Sequence, residues 1–322
     1  MTTTADQEHE EYLAAAEQAL GGVPGVDALE ALGWWELLDA LDDADTRRAA
    51  LVLFRAQGRT LSDSPAIGAL LAQPYAQLLD HDGRMVAALP DPTGRKGAPA
   101  LLVGVVTASA VLVDRPGAGA LLFAPEAVQL EPVALNGRLT LHRVRCDPAD
   151  ASARLAEADA VDARRRATFR ARVALAAEML GAAEGALALA STHACDREQF
   201  GQPIARFQAV RHLLAWGSAD CRATADVVDA AVTLDDRAPT GYDEIAKALS
   251  GRNGRRVCEL SLQVLGGIGF TAEHEHHHHH SRVLALDALL GSSAGLTHAL
   301  GVRTRTEGLD PALTRAQILH TS

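Results

Sequence analysis

The sequence predicts a mainly helical protein with a small β section in its middle. Three observations support this class: Ala- and Leu-rich runs with helical spacing toward both ends, short apolar runs broken by turn residues between them, and an aromatic content of only 4%. The 322 residues are enough for several packed layers. We expect a helical unit over residues 1–80, an antiparallel β unit over 81–150 and a helical bundle over 151–322.

The first 80 residues show helical periodicity. Val26, Leu29 and Leu32 recur at intervals of three, and the pattern continues through the apolar run 51–54. A capping residue directly before Pro65 favours a new helix start there.

Residues 83–147 have a different pattern. Short apolar runs at 85–89, 100–106, 110–113 and 120–123 are separated by Pro, Gly, Asp and Asn. Short runs with turn chemistry between them indicate antiparallel strands.

The remainder is predicted to be helical, with long Ala-rich segments at 172–191, 209–234 and 243–265. Small side chains let helix axes approach closely, which favours an antiparallel bundle.

Composition limits the partners and the compartment. A formal charge of −11 disfavours a nucleic-acid partner, because phosphates would be repelled. The N-terminus is polar, and we expect no stretch apolar enough to span a membrane. The four widely spaced cysteines favour reduced thiols and a cytoplasmic location.

One short segment, 197–208, combines a cation, an aromatic, a Gly-x-Pro break and an amide. Arg197 offers a planar fork of donors that suits phosphate oxygens, Phe200 can pack on a ring system, and Gln208 can both donate and accept. Gln199 lies between them. Each residue alone is compatible with an ordinary surface turn, and the ordered string is what favours a binding function.

A second segment, 263–271, reads Gln-Val-Leu-Gly-Gly-Ile-Gly-Phe-Thr. Gly266 and Gly267 allow a tight turn and close backbone approach to a flat ligand, although a simple helix C-cap would also explain them. Gln263 precedes them by one helical turn.

Together the two segments resemble the acyl-CoA dehydrogenase family, in its Arg-x-x-Phe-Gly-x-Pro-Ile…Phe-Gln and Gln-x-x-Gly-Gly-x-Gly-Phe-Thr signatures. The resemblance implies an N-terminal helical domain, a β-barrel, here reduced, and a C-terminal four-helix bundle. It also implies that the two segments contact the ADP end of FAD across a subunit interface. The implied contacts are Arg197, Gln199, Phe200, Gln208, Gln263, Gly266 and Gly267.

Two other features could bind ligands. Arg172 matches a family arginine at the start of the long central helix and could meet CoA phosphates, although a solvated helix start is the alternative. His274 and the run 276–280 contain imidazoles at i and i+4 that could share a metal. Unanchored histidine clusters bind metals adventitiously, so we predict no physiological metal site.

The catalytic base of the family has no counterpart here. Acyl-CoA dehydrogenation needs a carboxylate that removes the α-proton, and the two positions that supply it in the family are Ala171 and Leu290 in this chain. Asp287 and Glu178 are nearby carboxylates, but their helical offsets would point them elsewhere.

These features predict a non-catalytic subunit of a heteromeric, FAD-dependent acyl-CoA dehydrogenase. In an α2β2 assembly the partner would supply the base, the flavin bed and the acyl-CoA pocket, and the resemblance suggests steroid side-chain CoA thioesters as substrates. Two alternatives remain: a self-sufficient dehydrogenase using Asp287 or Glu178, and a non-enzymatic assembly or metal-responsive protein.

Overall fold

A computed structural model describes residues 4–22, 25–81, 83–92, 95, 98–104, 108–234 and 241–308. In these ranges, five helices come first, then seven short strands, then the long helices of a bundle. This order confirms the predicted mainly helical class with a small β section. The predicted ends at residues 1 and 322 lie outside the described residues.

The N-terminal helices share the main hydrophobic core of the protein with the β section and the long bundle helix that follows it. These helices are α1 (Thr4–Gly22), α2 (Gly25–Ala31), α3 (Trp34–Asp39), α4 (Ala44–Thr60) and α5 (Ala66–Ala76). Asp43 caps α4 by accepting from the Thr46 amide at 2.8 Å. The Trp34 ring packs edge-on against Phe54 at a centroid distance of 5.6 Å, and both are fully buried.

The β section consists of two small sheets. Its strands are β1 (Met85–Ala88), β2 (Ala100–Val103), β3 (Ala110–Arg115), β4 (Gly119–Phe123), β5 (Gln129–Pro132), β6 (Leu141–Arg145) and β7 (Ala153–Leu155). They form a four-stranded sheet in the order β1-β3-β4-β7 and a three-stranded sheet in the order β2-β6-β5. Within the described residues, one bridge, between Leu89 and Leu101, links the two sheets.

Two details of this section differ from the sequence prediction. The expected all-antiparallel arrangement was wrong for one pair, since β1 and β3 run parallel. Strand β2 intervenes between them in the chain but joins the other sheet, so β3 returns in the same direction as β1. Strand β7 pairs with β4 after residue 150, so the sheet extends past the predicted boundary.

The bundle is built on α6 (Glu157–Asp196), a helix of 40 residues. Helices α7 (Gln208–Thr233) and α8 (Tyr242–Leu265) pack along it, and α9 (His276–Ala288) and α10 (Ser293–Glu307) complete the unit. Small residues allow α4 to cross α6 closely. A Cβ at Gly58 would lie 2.0 Å from the Glu178 carbonyl oxygen, and one at Gly181 would lie 1.9 Å from that of Arg55.

Two helical stretches, Glu157–Asp196 and His276–Glu307, are long and apolar enough to cross a membrane by length and composition. The prediction that no stretch reaches this hydropathy was therefore wrong. In the first stretch, 72% of the most apolar window is buried inside the protein, as expected of a central bundle helix.

Candidate cofactor-contacting site

The first motif forms a small hairpin that projects from the end of the bundle. Strand β8 (Glu198–Gln199) pairs with β9 (Gln202–Pro203), and the two residues between them have φ values of 55° at Phe200 and 77° at Gly201. Two successive residues in the left-handed region are typical of a type I′ turn. A bulky residue is strained there, and its side chain is 92% exposed. The hairpin therefore presents Phe200 outward.

The polar groups of this motif make few contacts within the protein. The Gln199 side chain donates to the Glu198 carbonyl at 2.8 Å, and the Gln208 amide lies 2.9 Å from His212. Phe200 touches the Phe207 ring edge-on at 6.0 Å. Within the described part of the chain, the exposed Arg197 side chain makes no hydrogen bond or ion pair. Its guanidinium is therefore available to a ligand.

The second motif ends α8 and exposes its backbone. Gly266 has φ 62° and terminates the helix, and a 3₁₀ turn follows over Gly266–Phe270. No described atom lies within 4 Å of a Cβ built at Gly266 or Gly267. Gln263 lies exposed on the last helical turn, and Phe270 is 77% exposed. A flat ligand can therefore approach this backbone directly.

The fold brings both motifs to the same end of the bundle. A hydrophobic cluster joins the end of α6 (Ala190, Ala194) to the end of α8 (Val264, Leu265). The residues that pack against it come from the first motif and the start of α7: Ile204, Ala205, Val210, Leu213 and Leu214. A free cation, exposed aromatics and open glycine backbone on one surface fit the nucleotide end of a flavin.

Arg172 is occupied by internal contacts. Its guanidinium donates to Asp243 at 2.9 Å and to Glu244 at 3.4 Å, both at the start of α8. Its Nε donates to the Leu290 carbonyl oxygen at 2.9 Å. Binding of a CoA phosphate by Arg172 stays a prediction, and it would require these contacts to be exchanged.

The same contact joins the two segments in which the resemblance places the base of the family. Arg172 follows Ala171 directly, and it reaches the backbone of Leu290. Ala171 is fully buried on α6, and Leu290 is buried in the α9–α10 turn with φ 54°. Neither side chain can accept a proton, so apolar groups occupy both positions that the resemblance implies for the base.

Comparison with known proteins agrees with this geometry. The model of the acyl-CoA dehydrogenase C-terminal domain matches residues 164–302. Those residues are therefore similar in sequence to an acyl-CoA dehydrogenase C-terminal domain. The family resemblance seen in the two motifs is thereby confirmed, and proteins of this family bind FAD.

The similarity extends to named relatives. Acyl-CoA dehydrogenase FadE34 of Mycobacterium tuberculosis is 41% identical over 152 residues, which is 43% of this chain but only 21% of that protein. The chain thus spans about a fifth of the length of this relative.

Two solved structures share the fold over most of the chain. A variant of the Tcur3481–Tcur3483 steroid ACAD matches with a TM-score of 0.75 and 22% identity, covering 92% of this chain and 98% of that one. The ChsE4–ChsE5 complex of Mycobacterium tuberculosis matches with a TM-score of 0.69 and 20% identity, covering 95% and 98%. At these identities the likeness shows the acyl-CoA dehydrogenase fold.

Both alternative bases of the dehydrogenase hypothesis are held in structural contacts. Glu178 accepts from the buried Arg282 guanidinium at 2.6 and 2.8 Å. Asp287 accepts from the Ser293 amide at 2.9 Å and hydroxyl at 3.2 Å, and it faces Arg255 at 3.4 Å. Both side chains are nearly inaccessible, so neither is placed to reach a substrate proton.

The histidine run forms part of the packing of α9. His276 and His279 are buried, and His276 Nε2 lies 2.8 Å from the Cys258 carbonyl oxygen. Burial lowers the pKa of His279 to about 3, so that ring stays neutral. No group of three His, Cys, Asp or Glu side chains in the described ranges could hold a metal ion.

A cleft of about 590 Å³ was not foreseen from the sequence. Its walls come from α1, α4, α6 and α9, and Arg59 pairs inside it with Glu17 at 2.6 Å and Glu184 at 3.2 Å. The remaining lining residues are Gly185, Ala188, Leu189, Thr192, His193, Asp196, His274, Glu275 and His279. Because its walls come from segments that are distant in the sequence, no local sequence motif predicts the cleft.

Proposed function

We propose that this chain is the non-catalytic subunit of a heteromeric, FAD-dependent acyl-CoA dehydrogenase. One combination of features supports the proposal. The motifs that resemble the family's flavin contacts are intact and exposed at one end of the bundle, whereas the positions that the resemblance implies for the base hold Ala171 and Leu290. A symmetric homodimer would need both sets of residues in each chain, but a heteromer needs each set only once.

In this proposal the chain holds the nucleotide end of a flavin whose ring lies in the partner. Arg197 binds pyrophosphate oxygens, Phe200 covers the nucleotide, and the backbone at Gly266 and Gly267 approaches it. When bound, FAD accepts the hydride from the β-carbon of an acyl-CoA thioester while the α-proton is removed. The carboxylate that removes this proton belongs to the partner, which also holds most of the acyl-CoA.

The proposed composition of the assembly and the proposed substrate class are based on the similarity of this chain to the two solved structures. Both structures described above carry two protein designations, and one is named a steroid ACAD. These likenesses support an α2β2 complex with a catalytic acyl-CoA dehydrogenase and a steroid side-chain CoA thioester as substrate.

The two alternative functions have less support. A self-sufficient dehydrogenase would need Glu178 or Asp287 to leave its buried partners before it could act as a base. A non-enzymatic assembly or metal-responsive protein would not require the exposed Arg197 and Phe200 side chains or the accessible backbone at Gly266 and Gly267.

Co-expression tests the proposal. The chain is purified alone and together with the dehydrogenase of a neighbouring reading frame that carries the family glutamate. We expect the isolated chain to lose FAD on gel filtration, and the assembly to retain FAD and reduce an artificial electron acceptor with an acyl-CoA. An isolated chain that keeps FAD and turns over acyl-CoA would overturn the proposal.

A further inference from the structure

The cleft between α1, α4, α6 and α9 shares no lining residue with the two motifs, so the proposed flavin contacts do not account for it. Its floor is one face of α6, since the lining residues recur at helical spacing: Gly185, Ala188, Leu189, Thr192 and Asp196. From Glu184 to Asp196 this face is about 18 Å long, at the usual rise of an α-helix. The cleft is therefore elongated, with small and apolar side chains along its middle.

The wall of the cleft contains a buried polar group without a partner. His279 is only 3% exposed, and its Nδ1 atom has no hydrogen-bond partner among the described residues. Leaving such a group unpaired costs about 1–3 kcal/mol. The ring lies against the backbone of Gly185, where a Cβ would be 2.3 Å from its Cε1 atom. Glycine inside a helix costs roughly 0.5–1 kcal/mol relative to alanine, so two unfavourable features coincide at this point of the cleft.

The charged groups around the cleft favour a cation. Within the described residues, four carboxylates line it: Glu17, Glu184, Asp196 and Glu275. Arg59 lines it as well, and Arg55 and Arg138 reach two of these carboxylates from outside. Asp196 is exposed and forms no ion pair with any described residue. One carboxylate thus remains in excess even when all three arginines are counted, so an anionic ligand is disfavoured.

We infer that this cleft binds a linear polyamine. Its methylene segments pack on Ala188 and Leu189, its ammonium groups meet the carboxylates along the walls, and one N–H group donates to the His279 ring. A long ligand matches the length of the α6 face, which a compact cation does not. A metal ion is a poor fit, because no group of three His, Cys, Asp or Glu side chains in the described ranges could hold one.

The test measures binding of spermine to the full-length chain by isothermal titration calorimetry. Putrescine has the same chemistry but is too short to span the cleft, and hexaamminecobalt(III) is a compact trication. We expect spermine to bind at least about tenfold more tightly than either, since only it uses the whole face. Equal affinity for the compact trication would show nonspecific attraction to an acidic protein and would overturn the proposal. The absence of spermine binding would also overturn it.

Two variants locate the site. Asp196→Asn removes the unpaired carboxylate and should weaken spermine binding about twofold to fivefold. His279→Leu should weaken it about threefold to tenfold without lowering the Tm, because it removes a polar group that has no partner in the folded chain. Asp226→Asn, on the exposed surface of α7, is the matched control and should bind spermine like the wild type.

Unchanged binding by Asp196→Asn and His279→Leu, or an equal loss in the control, would overturn the assignment of the cleft. A lower Tm of His279→Leu with unchanged binding would do the same, because it would mark His279 as a packing residue. None of these measurements involves FAD, so this inference and the proposed function fail or hold independently.

Discussion

Removing either partner of the ion pair between Arg282 and Glu178 should be among the most destabilising single substitutions in the protein. Both side chains are almost completely buried, and the guanidinium meets the carboxylate at 2.6 Å. The same guanidinium donates to the carbonyl oxygens of Ser62, Gly137 and Arg138 at 2.5, 3.4 and 3.0 Å. Arg282 thus ties α9 to α6, to the link before α5 and to the β section.

The expected cost follows from what each substitution leaves behind. Glu178→Met leaves an uncompensated buried cation, which should lower the free energy of unfolding by about 3–5 kcal/mol. Arg282→Met leaves a buried carboxylate and also removes the donor from three carbonyl oxygens, so its cost should be at least as large. The double variant should cost less than the sum of the two, because no buried charge remains unpaired.

Urea denaturation followed by circular dichroism measures these differences. The control is the exposed pair of Arg222 and Asp226, 3.0 Å apart with side chains 81% and 60% exposed. Arg222→Ala should change the free energy of unfolding by less than about 0.5 kcal/mol. If Glu178→Met or Arg282→Met were as mild as this control, the assignment of the pair as a structural link would be refuted.

Three further predictions concern the site and the bundle. Arg197→Ala should weaken FAD binding by the assembly by about 1.5–3 kcal/mol, measured by flavin fluorescence, and should leave the helical content unchanged. Unchanged FAD binding would exclude the contact across the subunit interface. Leu290→Glu should not create turnover in the isolated chain, assayed with an electron acceptor; measurable activity would show that a substrate pocket is present. Burial lowers the pKa of Lys247 from 10.5 to about 8 in the folded protein. Between pH 8 and pH 10.5 the unfolded state therefore binds more protons than the folded state, and the free energy of unfolding should rise with pH. The Lys247→Met variant lacks this titrating group, so the wild type should gain about 3 kcal/mol relative to it over this pH range. If the free energies of unfolding of the two proteins changed with pH in parallel, the prediction would be contradicted.

The class of the fold and the location of the site could be predicted from local patterns. Helical periodicity, short apolar runs and the two motifs are all properties of neighbouring residues. The exposure of Phe200 and Arg197 is compatible with that prediction, because a ligand-contacting turn cannot bury the groups it uses. The hydrophobic cluster that joins 204–214 to Val264 and Leu265 then accounts for the proximity of the two motifs.

Contacts between distant segments could not be predicted in this way. The sequence shows Arg172 as a cation at a helix start, and only the fold places Asp243 and Glu244 against it. Arg282 likewise meets Glu178, 104 residues away. The parallel pairing of β1 with β3 depends on which sheet β2 joins, which the apolar runs do not specify. The burial of His276 and His279 on α9 is likewise a tertiary property that the histidine run does not reveal.

The most direct test of the account is the structure of the flavin-loaded assembly, determined with both chains present. The account predicts the diphosphate of FAD beside Arg197 and the isoalloxazine ring in the partner chain, next to that chain's glutamate. An isoalloxazine ring enclosed by this chain alone, with one of its own carboxylates facing the reactive edge of the ring, would contradict it.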